Sequence, residues 1–195
     1  MNDFEDNDMG YDELVDSFGE LGKVDITAGV HSDDAAQVTN DDGEPAGINL
    51  AALLSIHEWG ATIDHPGGTP FIIVDDEFIP VSKDHPNPMG YTTPHTIEIP
   101  ERSVLRATIA ENEQKYAELQ KAAIIQVLEG EPPERAFDKV ALALEGDIKR
   151  RFGDKSKLEE NAPSTIRQKG SSGPLIDDAQ LRQAIAARVD EGEGL

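Results

Sequence analysis

The chain has 195 residues, no cysteine, and 39 Asp plus Glu against 17 Lys plus Arg, a formal charge of −22. The length suits one domain with tails, and a 37% hydrophobic share leaves room for a core. The acidity argues against gripping a nucleic-acid backbone, where basic side chains must displace counterions, and against anionic lipid. Disulfides and thiolate metal sites are excluded. No apolar run approaches the ~18 residues of a membrane span, and Met1-Asn2-Asp3-Phe4-Glu5-Asp6 lacks the pattern of a signal peptide. The charge is uneven: residues 1–101 hold 22 acidic side chains against Lys23 and Lys83 alone, whereas 102–195 hold 17 acidic and 15 basic ones.

Residues 1–10 are acidic and poor in apolar side chains, which predicts a flexible arm. Leu14, Val15, Phe18 and Leu21 are spaced for one face of a short helix over Asp12–Leu21. Residues 23–30 alternate apolar and polar with β-branched members, which predicts a strand. Ser32 to Gly47 reads as a loop or wide turn around Asp42-Gly43. Asn49 is a candidate N-cap for a helix carrying Leu50, Leu53, Leu54 and His57, stopped at Gly60. Two β-rich runs follow, Phe71-Ile72-Ile73-Val74 and Phe78-Ile79-Pro80-Val81. Asp75-Asp76-Glu77 between them predicts a hairpin, with Pro80 on an edge. Thr96 to Ile99 is a further strand.

Nothing breaks a helix from Glu101 to about Glu129, so one long helix is expected there, with Val104, Leu105, Ile109, Tyr116, Leu119, Ala123 and Val127 on one side. Gly130 ends it, and Pro132-Pro133 can open the next. That helix shows the clearest period, through Phe137, Val140, Ala141, Leu144, Ile148 and Phe152, with Glu145 and Lys149 as a favourable i, i+4 pair. Residues 153–174 form a long loop, with one helical turn over 164–168. Asp177 and Gln180 can make a capping box for a helix bearing Leu181, Ala184, Ile185 and Val189. The expected fold is α+β: a small antiparallel sheet packed by a long helix and two or three shorter ones. It divides into a flexible acidic arm at 1–10, a single domain at 11–190 with a hairpin-containing insertion at about 61–98, and a tail at 191–195.

Catalytic and metal motifs fail on spacing. His57-Glu58 begins a zinc-peptidase pattern, but Ala61 stands where its second histidine is required. Asp64-His65 and Asp84-His85 lie in loop-rich sequence that specifies no geometry. Asp41-Asp42-Gly43-Glu44 lacks the alternation of a calcium loop. Gly67-Gly68-Thr69-Pro70 is no P-loop, and Lys169-Gly170-Ser171-Ser172-Gly173 reads as a linker. Neither an enzyme nor a cofactor is expected.

Three segments carry a resemblance. They are Ala52-Leu53-Leu54-Ser55-Ile56-His57-Glu58-Trp59-Gly60; Ile99-Pro100-Glu101-Arg102-Ser103-Val104-Leu105-Arg106; and residues 162–177, ending Pro174-Leu175-Ile176-Asp177, followed by Gln180-Leu181-Arg182. Together they resemble the neck and tail-completion proteins of tailed bacteriophages, the group of Mu-like virion-morphogenesis and lambdoid minor tail components. The resemblance selects His57, Glu58, Trp59, Gly60, Pro100, Arg102, Leu105, Arg106, Pro174, Leu175, Asp177 and Leu181 as structural or interface positions. It implies a non-catalytic virion subunit, assembled in the host bacterial cytoplasm, that forms a ring, six-fold by expectation, at the head–tail junction. Its partners would be further copies of itself, connector or adaptor proteins, and tail terminator or tube proteins. Genomic DNA would pass through the lumen without specific binding. Alternatives are a tail terminator or connector stopper subunit, and an acidic DNA mimic that engages a host protein.

Overall fold

The computed structural model describes residues 10–31, 37–39, 45–154, 156–158 and 180–192. In chain order the elements are α1 (Tyr11–Leu21), β1 (Val24–Gly29), β2 (Gln37–Thr39), β3 (Pro45–Asn49), α2 (Leu50–Trp59), β4 (Ala61–His65), β5 (Pro70–Val74), β6 (Glu77–Pro80), β7 (Gly90–Tyr91), β8 (His95–Ile99), α3 (Leu105–Glu111), α4 (Glu113–Leu128), α5 (Pro133–Phe152), α6 (Gln180–Ala184) and β9 (Ala186–Glu191). The class is α+β. The described strands form four small antiparallel sheets, β1-β9, β2-β3, β4-β8 and β6-β5-β7.

Helix α5 links two hydrophobic clusters. Pro133 opens it where no intrahelical amide bond is lost. Ala136, Phe137 and Val140 pack with Ala123 and Val127 of α4, joined by Leu21, Val24, Ile26 and Val189. Two turns further on, Ile148 and Phe152 pack with Leu50 and Leu54 of α2, Val104, Leu158, Leu181 and Ile185. Each such large side chain contributes about 1.5–3 kcal/mol by leaving water. The β1-β9 ladder also packs on α5, and in it Ile26 faces Val189 and Ala28 faces Ala187. Glu145 of α5 accepts the Ala187 amide at 3.0 Å and so fixes the ladder to the helix.

Several expectations hold locally. Asn49 accepts the Ala52 amide at 2.7 Å as an N-cap. The β5-β6 hairpin turns through Asp75 and Asp76, with φ of 53° and 63°. This is the mirror-image two-residue turn that matches strand twist, and aspartate tolerates it. Pro80 sits on the edge strand β6, and Glu145 pairs with Lys149 at 2.7 Å. Helix α1 forms, but Leu14, Val15 and Phe18 stay exposed and Leu21 alone of its stripe reaches a cluster.

Others are corrected. The long helix is two: Asn112 leaves helical geometry, with φ −117° and ψ 17°, and both its amide and its Nδ2 donate to the Thr108 carbonyl, at 3.2 and 2.8 Å. Residues 101–103 are not helical either. The loop read over 32–47 contains β2 and the start of β3, and β4 and β7 were not foreseen. The last helix ends at Ala184, and Ala186–Glu191 is a strand. Ile185, Ala187 and Val189 also fit an alternating pattern, and β1 supplies a six-residue partner. The arm at 1–9, the 164–168 turn, the Asp41–Glu44 and Lys169–Gly173 motifs, Asp177 of the capping box and residues 193–195 lie outside the described residues.

The 61–98 segment is built from β4 to β8. Strands β4 and β8 form a two-stranded stem in the register Ala61↔Ile99 to His65↔His95, and β6-β5-β7 continues beyond it. These strands pack chiefly on one another.

Candidate functional site

The first two resemblance segments meet at one joint. Helix α2 delivers His57, Glu58 and Trp59 to its C-terminal turn, and Gly60 reverses the chain into β4. Gly60 has φ 70° and ψ 174°, a region essentially reserved for glycine. A Cβ there would lie 2.8 Å from the Ile99 carbonyl oxygen and 3.2 Å from the Glu101 nitrogen. Its smallness brings the returning strand β8 against the end of α2.

That return presents the first amides of α3 to Glu58, which is only 4% exposed. One carboxylate oxygen accepts Val104 N at 2.9 Å and Leu105 N at 3.0 Å. The other accepts Arg106 N at 2.9 Å, the Ser103 hydroxyl at 2.6 Å and Arg106 Nε at 3.2 Å. A helix N-terminus leaves its first amides without partners inside the helix, and a carboxylate also complements the positive end of the helix dipole. Glu58 thus caps a helix 46 residues downstream. Burial pushes its carboxyl up, but the hydrogen bonds from Ser103, Arg106, Leu105 and Val104 prevail and hold it below its ordinary value.

Arg106 closes the joint from outside. Its guanidinium donates to the Glu58 backbone carbonyl at 2.6 Å and to Glu101 at 2.8 Å, and lies 3.7 Å from the centroid of the Trp59 ring. Arg102 is buried and its amide donates to the His57 carbonyl at 2.7 Å. Leu105 packs on the core containing Leu181, so the third segment reaches the same body through that residue. Pro174, Leu175 and Asp177 lie outside the described residues. Ser103, which sequence reasoning passed over, donates to Glu58 and accepts Ala107 N at 3.1 Å. Its signal was a serine just ahead of an apolar run, the usual place of a cap.

A second polar cluster was also missed. Asp147 of α5 is buried and accepts Lys115 at 2.6 Å, Tyr116 at 2.9 Å and Arg150 at 2.6 Å. Burial raises its carboxyl, and these three donors outweigh that and lower it. Burial, then the hydrogen bond to Asp147, pushes the Tyr116 hydroxyl up. Arg151 ties α5 to the Ser103 carbonyl and to Glu111. The sequence clue was an acid beside the apolar stripe of α5. Both clusters direct their donors into carboxylates, which makes them fasteners between helices.

Of the two histidines read as loop residues, His65 lies at the end of strand β4, its ring centroid 4.9 Å from that of His95 across the stem, and His85 accepts the Asn87 amide at 3.3 Å. Among the described residues no group of three or more His, Asp or Glu could hold a metal ion. The chain matches no family model, no curated protein and no solved structure.

Proposed function

We propose that this chain is a structural subunit of the head–tail junction of a tailed bacteriophage, a neck or tail-completion protein that assembles as a ring at the tail end. The observation that carries the reading is the order of the three resemblance segments along the chain. The roles of their residues support it. His57-Glu58-Trp59-Gly60 and Arg102 to Arg106 are engaged in one helix-to-helix joint, as expected of residues that fix a shape. The charge fits as well: a net −22 per copy gives a collar that genomic DNA crosses without strong adhesion. A ring needs two different patches that fit each other, and the 61–98 segment and the helical body offer chemically different surfaces.

The test is negative-stain imaging of tails made without this protein, before and after adding the purified chain. A ring at the tail end and restored joining to capsids are expected. Tails that already join capsids without it would overturn the reading.

A further inference from the structure

Two exposed surfaces of this chain carry apolar residues beside charges of opposite sign. The first is the β5-β6 hairpin. On one of its faces Ile73 and Phe78 stand directly opposite each other, 46% and 43% exposed. Met89, 66% exposed, places its sulfur 3.3 Å from the Ile73 amide. The turn of the same hairpin presents the exposed carboxylates of Asp75 and Asp76.

The second is the outer side of α5. Arg135, Lys139, Leu142, Gly146 and Arg150 recur at i, i+4, i+7, i+11 and i+15, and all five are exposed. Leu142 is 69% exposed, and a Cβ on Gly146 would meet open space. The stripe therefore has an apolar, low-relief centre and cationic ends, and runs for roughly 22 Å. Arg135 and Arg150 also reach Glu131 and Asp147 of the same chain, at 3.7 and 2.6 Å. Of the acidic residues near the stripe, Glu134 and Glu145 fall on the other flank of Leu142, while Glu129, Glu131 and Asp138 line the same hollow as Arg135 and Lys139.

We propose that the β5-β6 hairpin of one copy docks on this α5 stripe of a second copy. Ile73, Phe78 and Met89 cover Leu142 and Gly146, while Asp75 and Asp76 face Arg135 and Lys139. A β5 strand of five residues spans about 17 Å, short enough to lie along the stripe. The charges meet in the sense that guides docking and sets register. The contact is heterologous, hairpin to helix, so repetition builds a ring or an open chain according to the rotation between copies. This inference rests on the ring reading and names the contact between neighbours.

Ionic strength alone does not isolate this contact. Salt weakens the hairpin-to-stripe attraction and also relieves the repulsion between strongly negative copies. A complementation experiment does. The hairpin variant D75N/D76G keeps a favoured two-residue turn and removes both charges. The stripe variant Leu142→Asp places a carboxylate on an exposed helical position. Each variant is checked for native circular dichroism and followed by sedimentation velocity from micromolar to millimolar concentration. Wild type is expected to self-associate, with each variant weakened at least ~10-fold. An equimolar mixture restores association but stops at dimers, since each pair has one intact hairpin and one intact stripe. Association unchanged in both variants overturns this contact and leaves a ring built elsewhere on the chain in place. Wild type that stays monomeric throughout, or a mixture that recovers nothing, also overturns it. Neither outcome touches the tail-rescue test.

Discussion

The Glu58 carboxylate lies 2.9 Å from the amide nitrogen of Arg106, while the Arg106 guanidinium reaches back 2.6 Å to the Glu58 carbonyl. Two residues 48 positions apart thereby satisfy each other's backbone and side-chain groups. A helix end and a helix start, distant in the chain, are joined in this way.

Removing the carboxylate should be costly. Glu58→Ala leaves the first amides of α3 without their acceptor and Arg106 with Glu101 as its remaining carboxylate partner, a loss of about 3 kcal/mol. In a domain this size the melting temperature should fall by roughly 8 °C or more. Glu58→Gln keeps the shape and one acceptor and should lose about half as much. Thermal melts followed by circular dichroism decide this, and an alanine variant that melts with wild type contradicts the cap.

Acid should act through the same carboxyls. Glu58 and Asp147 titrate below their ordinary values of 4.5 and 3.8 in the fold. Carboxyls of this kind contribute stability that is fully present above the unfolded values and is lost as pH falls through the folded ones. Melting temperature should be flat near neutrality and drop below about pH 4.5. Glu58→Gln should show a shallower drop, because it removes one of the buried carboxyls that carry it. An acid slope equal to that of wild type would remove Glu58 from the account.

Glycine positions separate strain from crowding. Gly60→Ala meets the Ile99 carbonyl and the Glu101 nitrogen in a backbone region that alanine avoids, for a loss of about 3 kcal/mol. Gly68 has φ 81° with open space around it. Alanine there should cost about 1 kcal/mol, from backbone conformation alone. Urea midpoints of the two variants measure the difference, and equal midpoints would show that the approach of β8 to α2 does not depend on Gly60.

At the second fastener, Tyr116→Phe removes one hydrogen bond to Asp147 and should cost about 1 kcal/mol. Asp147→Ala leaves Lys115, Tyr116 and Arg150 facing an empty position and should cost about 3 kcal/mol. The double variant should be no worse than Asp147→Ala, since the hydroxyl has already lost its acceptor. Additive losses would mean that the Tyr116 hydroxyl contributes independently of Asp147.

Trp59 is the only tryptophan, 65% exposed and covered on one face by Arg106. Arg106→Lys loses the planar stacking and the forked donor and should shift the emission maximum to the red without unfolding the chain. Unchanged emission in a folded variant would place the guanidinium elsewhere.

The sequence by itself determined what depends on neighbours a few positions apart. The Asn49 cap, the stripe of α5, the Pro133 start and the Asp75-Asp76 turn each follow from local spacing and backbone preference, and each stands as read. The motif residues His57 to Gly60 and Pro100 to Arg106 were visible as segments, because their residue types stand out. What joins them was not legible, since a cap normally comes from a residue next to its helix, and Glu58 caps from 46 residues away. The final strand was hidden for a related reason: Leu181 to Val189 fits a helical face and an alternating strand, and only the free edge of β1 favours the strand. Asn112 divides a helix that propensity would have continued, its backbone leaving helical geometry while its side chain adds a second bond to the Thr108 carbonyl. Tertiary structure decided those cases because hydrogen-bond partners distant in sequence are fixed only when the chain closes on itself.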